Sequence, residues 1–181
     1  MRTFTLVPVL LLLLAGSTLA FDGQRRGFVL GGGLGIAIDS KYEVSSGVVR
    51  PKENGAGVGL NLIIGGAFDD KNMLVYEGNV TGWKSDTFDQ NFTQGFNGAA
   101  WYHYYGHPGR SAFTTVGLGF YVFKAEHYED NDPGLGILVG GGYEFSRHWQ
   151  IGLYLSGGKT SSEGVDFDHS HISVLVSGIA F

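Results

Sequence analysis

Large apolar side chains alternate with small ones along this chain at a period of two, the repeat of an extended strand. In 26–38, Phe28, Leu30, Leu34, Ile36 and Ile38 take turns with Val29, Gly31, Gly33, Gly35 and Ala37. In 56–68, Leu60, Leu62, Ile64 and Phe68 oppose Gly57, Gly59, Asn61, Gly65 and Ala67. The same two-sidedness returns at 113–124, 134–145 and 149–159, and a less regular alternation fills 73–84, 92–105 and 170–181. The pattern predicts eight strands, each near the ~9–11 residues that cross a bilayer at a tilt. No stretch shows sustained helical periodicity.

Two all-β architectures compete for this pattern. A soluble barrel or sandwich puts its bulky face inside and a charged face in water. Here the alternate face is glycine and small polar residues, which suits the reverse arrangement: bulky side chains toward lipid, small ones toward a narrow lumen. Connection lengths agree. Joints at 69–72, 106–112 and 146–148 are short and rich in turn residues, whereas 39–55, 85–91, 125–133 and 160–169 are mostly longer. The predicted fold is an all-β, eight-stranded antiparallel up-and-down transmembrane β-barrel, with both termini and the short turns on the periplasmic side. Phe68, Tyr76, Tyr102, Tyr104, Phe113, Tyr143, Phe145 and Trp149 gather near the short-turn ends and are expected to form an interfacial girdle there.

The first residues change the picture by adding a compartment. Arg2, the apolar stretch from Phe4 to Ala15 and the Thr18-Leu19-Ala20 step read as a signal peptide over residues 1–20, cut before Phe21, leaving one domain at 21–181. The apolar stretch is too short for a membrane helix, which needs ~20 residues. Without Arg2, 11 Lys and Arg face 17 Asp and Glu, a formal charge of −6, which speaks against nucleic acid as a partner. No cysteine is present, so no disulfide holds the fold. Glycine is the compositional outlier at 31 residues, beside 14% aromatics, which fits tightly packed strands and not a flexible linker.

The opening GFVLGGGLGIAI, the joint GGGYEFSRHWQIGL and the terminal Phe181 resemble the OmpA/OmpX-like family of small outer-membrane β-barrels. The resemblance implies a Gram-negative outer membrane, insertion by the barrel-assembly machinery with Phe181 as the assembly signal, and a monomer. It implies no cofactor, and it does not select among adhesins, structural barrels and lipid-modifying enzymes.

Charges sort by side. The four long loops with their rims carry the whole net charge of −6, and the remainder of the mature chain sums to zero. Lys41, Lys84, Lys124 and Lys159 each fall at the outer end of an odd-numbered strand, where they would meet the phosphates of lipopolysaccharide; a snorkelling Lys at a strand end is the plainer reading. Glu126, Glu129, Asp130 and Asp132 cluster in the third loop, a hard-oxygen set that lacks the spacing of a calcium-binding loop and reads first as solvated acid.

The last strand carries the one catalytic candidate. His171 and Ser173 stand one strand period apart, and His-x-Ser resembles the arrangement in PagL-type lipid A deacylases, where a nucleophilic Ser is served by His and Glu. In that family the acid follows the Ser, whereas no carboxylate follows Ser173, so Glu163 or Asp168 would have to substitute. Both faces of this strand are apolar; we take Phe181 as lipid-facing, which also turns His171 and Ser173 outward. Inside, Asn61, Glu77, Asn79, Thr81, Asn97, His103, Tyr121, Glu144 and Tyr154 are expected to make a polar, hydrogen-bonded filling rather than a narrow channel, with His103 or a rim cation beside Glu77. The function expected is a non-enzymatic outer-membrane barrel acting through its acidic outer loops.

Overall fold

The computed structural model describes residues 24–44, 52–85, 90–125, 132–162 and 165–181. Within them the chain forms eight strands: β1 (Gly27–Val44), β2 (Lys52–Ala67), β3 (Asn72–Ser85), β4 (Gln90–Tyr104), β5 (Ser111–Ala125), β6 (Asp132–Ser146), β7 (Trp149–Ser162) and β8 (Val165–Ala180). Each pairs antiparallel with its chain neighbour, and β8 returns to β1 to close the barrel. Closure leaves no edge strand, so every backbone ladder is satisfied within the wall.

The outward face carries the bulky alternation. Leu34, Leu118, Phe120 and Leu135 are more than 60% exposed, and the same face bears Ile36, Leu60, Ile137 and Leu153. A belt of this size and regularity on a folded chain is stable against hydrocarbon and not against water. The strands run past the predicted ends on the long-loop side, β1 to Val44 and β8 from Val165. There the outward residues turn polar, with Asp39, Lys41 and Glu43 on β1 and Asp166 and Asp168 on β8. The apolar signal therefore stops while the hydrogen-bonded ladder continues.

Inward glycines are the other half of the arrangement, because they receive the rings of neighbouring strands. A Cβ on Gly140 would stand 2.7 Å from Tyr154, and one on Gly142 2.8 Å from Phe113. Real Cβ atoms do not approach so closely, so the glycine content is the space that the interior aromatics occupy.

The parity of β8 corrects the expectation. His169, His171, Ser173, Leu175, Ser177 and Ile179 are all buried, Phe181 is 2% exposed, and Val176 faces out at 41%. The reason lies on β1 and β2: Cβ atoms at Gly31 and Gly59 would meet Ile179 at 3.0 Å and Leu175 at 2.8 Å, so the bare glycines leave interior room that β8 fills. The girdle is corrected similarly. Tyr102, Tyr104 and Phe113 are buried inside, and the outward positions of that end are held by Phe68, Tyr76, Trp101, Tyr105, Tyr143, Phe145 and Trp149. Asn97 and His103 also point away from the lumen: Asn97 accepts from the exposed Tyr76 hydroxyl at 3.0 Å, and His103 bonds Asn72 at 3.0 Å. Both lie on the odd-numbered face of β4, opposite Phe96, Tyr102 and Tyr104.

Candidate functional site

The lumen is the densest concentration of polar chemistry in the fold, and it is filled in three tiers. At the short-turn end, Arg25 precedes β1 and is fully buried. Its Nη2 donates to Glu144 Oε2 on β6 at 2.5 Å, Nη1 donates to the Asp70 carbonyl, and its backbone N–H donates to Asp70 Oδ1 at 3.0 Å. The guanidinium carbon lies 3.6 Å from the Tyr104 ring centroid and 5.6 Å from that of Phe181. The terminal ring in turn packs 4.8 Å from the His148 ring. His148 sits in the left-handed region at φ 69°, and its carbonyl accepts from Ile179 N–H at 2.8 Å, which ties the turn to the end of β8. Phe181 is therefore a lid on the lumen.

The middle tier is built from tyrosines and a carboxylate. Tyr102 donates to Glu77 Oε2 at 2.6 Å, Tyr104 donates to Gln150 Oε1 at 2.7 Å, and Gln150 Nε2 donates to Tyr154 at 3.4 Å. Ser177 on β8 donates to Asn61 on β2 at 3.1 Å. The expected His103 partner for Glu77 is absent because His103 faces outward; Tyr102 takes that place. The rim cation serves Glu144 instead. Charge-assisted bonds of this kind are short and strong in a medium that excludes water.

The outer tier centres on His171. Its Nε2 is 3.0 Å from Asn79 Oδ1, and its Nδ1 lies 2.9 Å from Tyr121 and 3.0 Å from Ser156. With the Asn79 carbonyl as acceptor, the proton sits on Nε2 and Nδ1 accepts. His169 Nε2 meets Thr160 at 2.7 Å, and its ring stacks 4.7 Å from Phe123. Toward the mouth, Trp83, Phe92 and Phe123 form a buried aromatic cluster on β3, β4 and β5.

Each predicted site residue now has a place. His171 and Ser173 do share a face, as their spacing requires, but it is the luminal one; Ser173 Oγ is buried and bonds neither His171 nor any other group. Asp168 points outward to Lys159 at 3.5 Å and does not serve His171, while Glu163 lies outside the described residues. Among the described residues no nucleophile–base–acid chain is assembled, and His171 and Ser173 do not reach lipid. Lys84, Lys124 and Lys159 are exposed, and Lys41 pairs with Asp39 at 2.5 Å. Lys41 owes its outward direction to a register shift in β1 between Ala37 and Asp39, since an unbroken alternation from the buried Ala37 would turn it into the lumen. Asp132 opens β6 exposed to solvent; Glu126, Glu129 and Asp130 lie outside the described residues. Arg25 is the functional residue that the sequence did not announce. It precedes the first strand, so no alternation marks it.

Outside the spanning segments, the first turn shows local electrostatics. Asp69 Oδ1 accepts from Lys71 N–H at 2.7 Å and Asn72 N–H at 2.8 Å, and both its oxygens accept from the Asn72 amide at 3.0 Å. The Asn72 side chain first, then the Lys71 N–H, hold the Asp69 carboxyl below its ordinary range.

No protein-family model matches this sequence, and no curated protein matches it. Solved structures do match its fold. Neisserial surface protein A superposes with a TM-score of 0.51 at 13% identity, over 84% of this chain and 96% of that one. Ail, the attachment invasion locus protein of Yersinia pestis, superposes with a TM-score of 0.51 at 15% identity, over 86% of this chain and 99% of that one. The fold is that of the small eight-stranded outer-membrane β-barrels, as the resemblance in the sequence implies.

Proposed function

We propose that this chain is exported by a signal peptide at residues 1–20 and resides as a monomeric, non-enzymatic barrel in a bacterial outer membrane. Phe181 would serve as the signal read by the barrel-assembly machinery before it closes over the lumen. The function lies on the outside of the wall and in the outer loops, as a structural or surface-interaction barrel. The observation that carries this reading is the filled lumen: aromatic rings and cross-strand hydrogen bonds occupy it, and His171 and Ser173 are buried on its inner face. The outer loops, acidic in sequence, and the outward lysines at the strand ends are the surface this reading assigns to partners.

Within that surface, Lys41, Lys84, Lys124 and Lys159 are offered to lipopolysaccharide phosphates. All four side chains point away from the lumen at the long-loop ends of β1, β3, β5 and β7, where a charge-assisted contact would stabilise the barrel in an anionic leaflet. The test replaces all four by Gln and measures lipopolysaccharide co-purification and folded-band yield in unheated gels. Loss of co-purified lipopolysaccharide with retained folding is expected; full retention rejects the contact. Recovery of the wild-type protein as a soluble periplasmic species would reject the location itself.

A further inference from the structure

At the short-turn end, the turn between β4 and β5 lies beside the turn between β6 and β7, because β5 and β6 are paired with Ser111 opposite Glu144. Between them is an open groove of about 620 Å³, lined by His107, Arg110, Arg147 and Phe145 among others, with no acidic residue in its lining. The volume lies within the ~300–1,000 Å³ of small-ligand sites. The groove is a consequence of how the turns meet. Gly109 adopts φ +95°, and a Cβ there would stand 3.3 Å from Arg147 Cγ and 3.4 Å from its backbone nitrogen, so only glycine lets this turn close against Arg147. Among the described residues neither Arg110 nor Arg147 pairs with a carboxylate. The nearby acids are otherwise engaged: Glu144 and Asp70 hold Arg25, and Asp69 holds its own turn.

Depth completes the argument. Tyr105, Phe145 and Trp149 are outward aromatics at this same end, 61%, 50% and 52% exposed, and such rings settle at the boundary between hydrocarbon and headgroups. Phe145 is itself part of the groove, so one wall lies at the acyl boundary while His107, Arg110 and Arg147 stand at headgroup height. We infer that this groove binds the phosphate of an anionic glycerophospholipid of the leaflet facing the short turns, with Arg110 and Arg147 as the phosphate donors and Phe145 against the first acyl carbons. Guanidinium forks match phosphate oxygens two at a time, which a quaternary-ammonium headgroup nearby would oppose through its own positive charge. The inference rests on the barrel spanning a membrane and is independent of the lipopolysaccharide contact at the other end.

The experiment uses the full mature barrel, folded in detergent, with native mass spectrometry and Arg side-chain NMR shifts as readouts. It is titrated with phosphatidylglycerol, phosphatidylcholine and inorganic phosphate. Preferential retention of phosphatidylglycerol, shifts at Arg110 and Arg147, and little competition from inorganic phosphate are expected. Arg110→Gln with Arg147→Gln should weaken phosphatidylglycerol retention by about tenfold or more, while Arg26→Gln with Lys71→Gln on the neighbouring rim should leave it unchanged. Heat-modifiable migration verifies that each variant is folded, and His107→Gln provides a milder variant with a partial loss. Equal retention of the two lipids, or unchanged retention in the folded double variant, overturns the inference. Equal competition by inorganic phosphate also overturns it and makes the groove a site for a soluble anion.

Discussion

The Arg25 guanidinium carbon lies over Tyr104, 3.6 Å from the ring centre, while its Nη2 donates to Glu144 on β6. One side chain thus ties the segment before β1 to β4 and β6, closing the short-turn end with a buried ion pair and a cation–π contact together. Removing one member of a buried pair leaves the other charge uncompensated, at about 3–5 kcal/mol. Glu144→Leu should therefore lower unfolding stability in lipid vesicles by that order. Arg25→Met combined with Glu144→Leu should recover a substantial part of the loss, because no orphan charge remains. Additive losses in the double variant would show that the two residues do not act as a pair.

His171 and Ser173 separate a structural role from a catalytic one. His171 bonds three groups on three other strands, so His171→Ala strands Asn79 and Tyr121 in the interior and should cost about 1–3 kcal/mol. Ser173 Oγ makes no bond, so Ser173→Ala should be close to neutral. Neither change should alter the lipid A profile by mass spectrometry. A hydrolase would give the opposite ranking, with Ser173→Ala abolishing a lipid change that wild type produces.

How much of this was legible in the sequence follows from where side-chain size differs between faces. β1, β2, β5, β6 and β7 set bulky residues against glycine, and their orientation was readable from alternation alone. β8 was not: Ile172, Val174 and Val176 compete with Leu175, Ile179 and Phe181, and size cannot choose between two apolar faces. The choice is made by contacts distant in sequence, where Gly31 and Gly59 leave space for Ile179 and Leu175. The same limit hid Tyr102 and Tyr104. Aromatics serve equally as girdle and as filling, and only their register against Trp101, His103 and Tyr105 separates the two uses. Arg25 had no periodic signal at all. Its role appears once closure brings the segment before β1 beneath Tyr104 and across from Glu144.

Asp69 provides a titration test of the first turn. Its carboxyl accepts from the Asn72 amide and from two backbone N–H groups, and these hold it below the ordinary carboxylate range. A carboxyl with a depressed folded pKa contributes stability above its unfolded pKa and loses it as pH falls through the folded value. The turn should therefore keep its Asp69 bonds to a lower pH than an ordinary aspartate would, and shed them only in stronger acid. Asn72→Ala should move the Asp69 midpoint upward in a carboxyl-detected NMR titration. An unmoved midpoint would mean that the side-chain amide contributes nothing.

The tiers of the lumen act as barriers in series, which sets the expectation for conductance. Arg25, Glu144 and Phe181 occlude the short-turn end, Tyr102, Tyr104 and Tyr154 the middle, and Tyr121 with His171 the outer part, each fixed by bonds between different strands. The wild-type barrel in a planar bilayer should show no sustained open level. Trimming one tier leaves the others in the path, so Tyr121→Ala alone should remain silent. The combined Tyr104→Ala, Tyr121→Ala and Tyr154→Ala variant, verified as folded by its migration in unheated gels, keeps Arg25, Glu144 and Phe181 in the path and should stay silent; a steady current is expected only when Arg25→Ala, Glu144→Ala and Phe181→Ala are added. The strands fix the wall, so removing these side chains widens the lumen without reopening the ladder. A sustained wild-type current, or a steady current through the folded triple variant, would show that the tiers do not act in series.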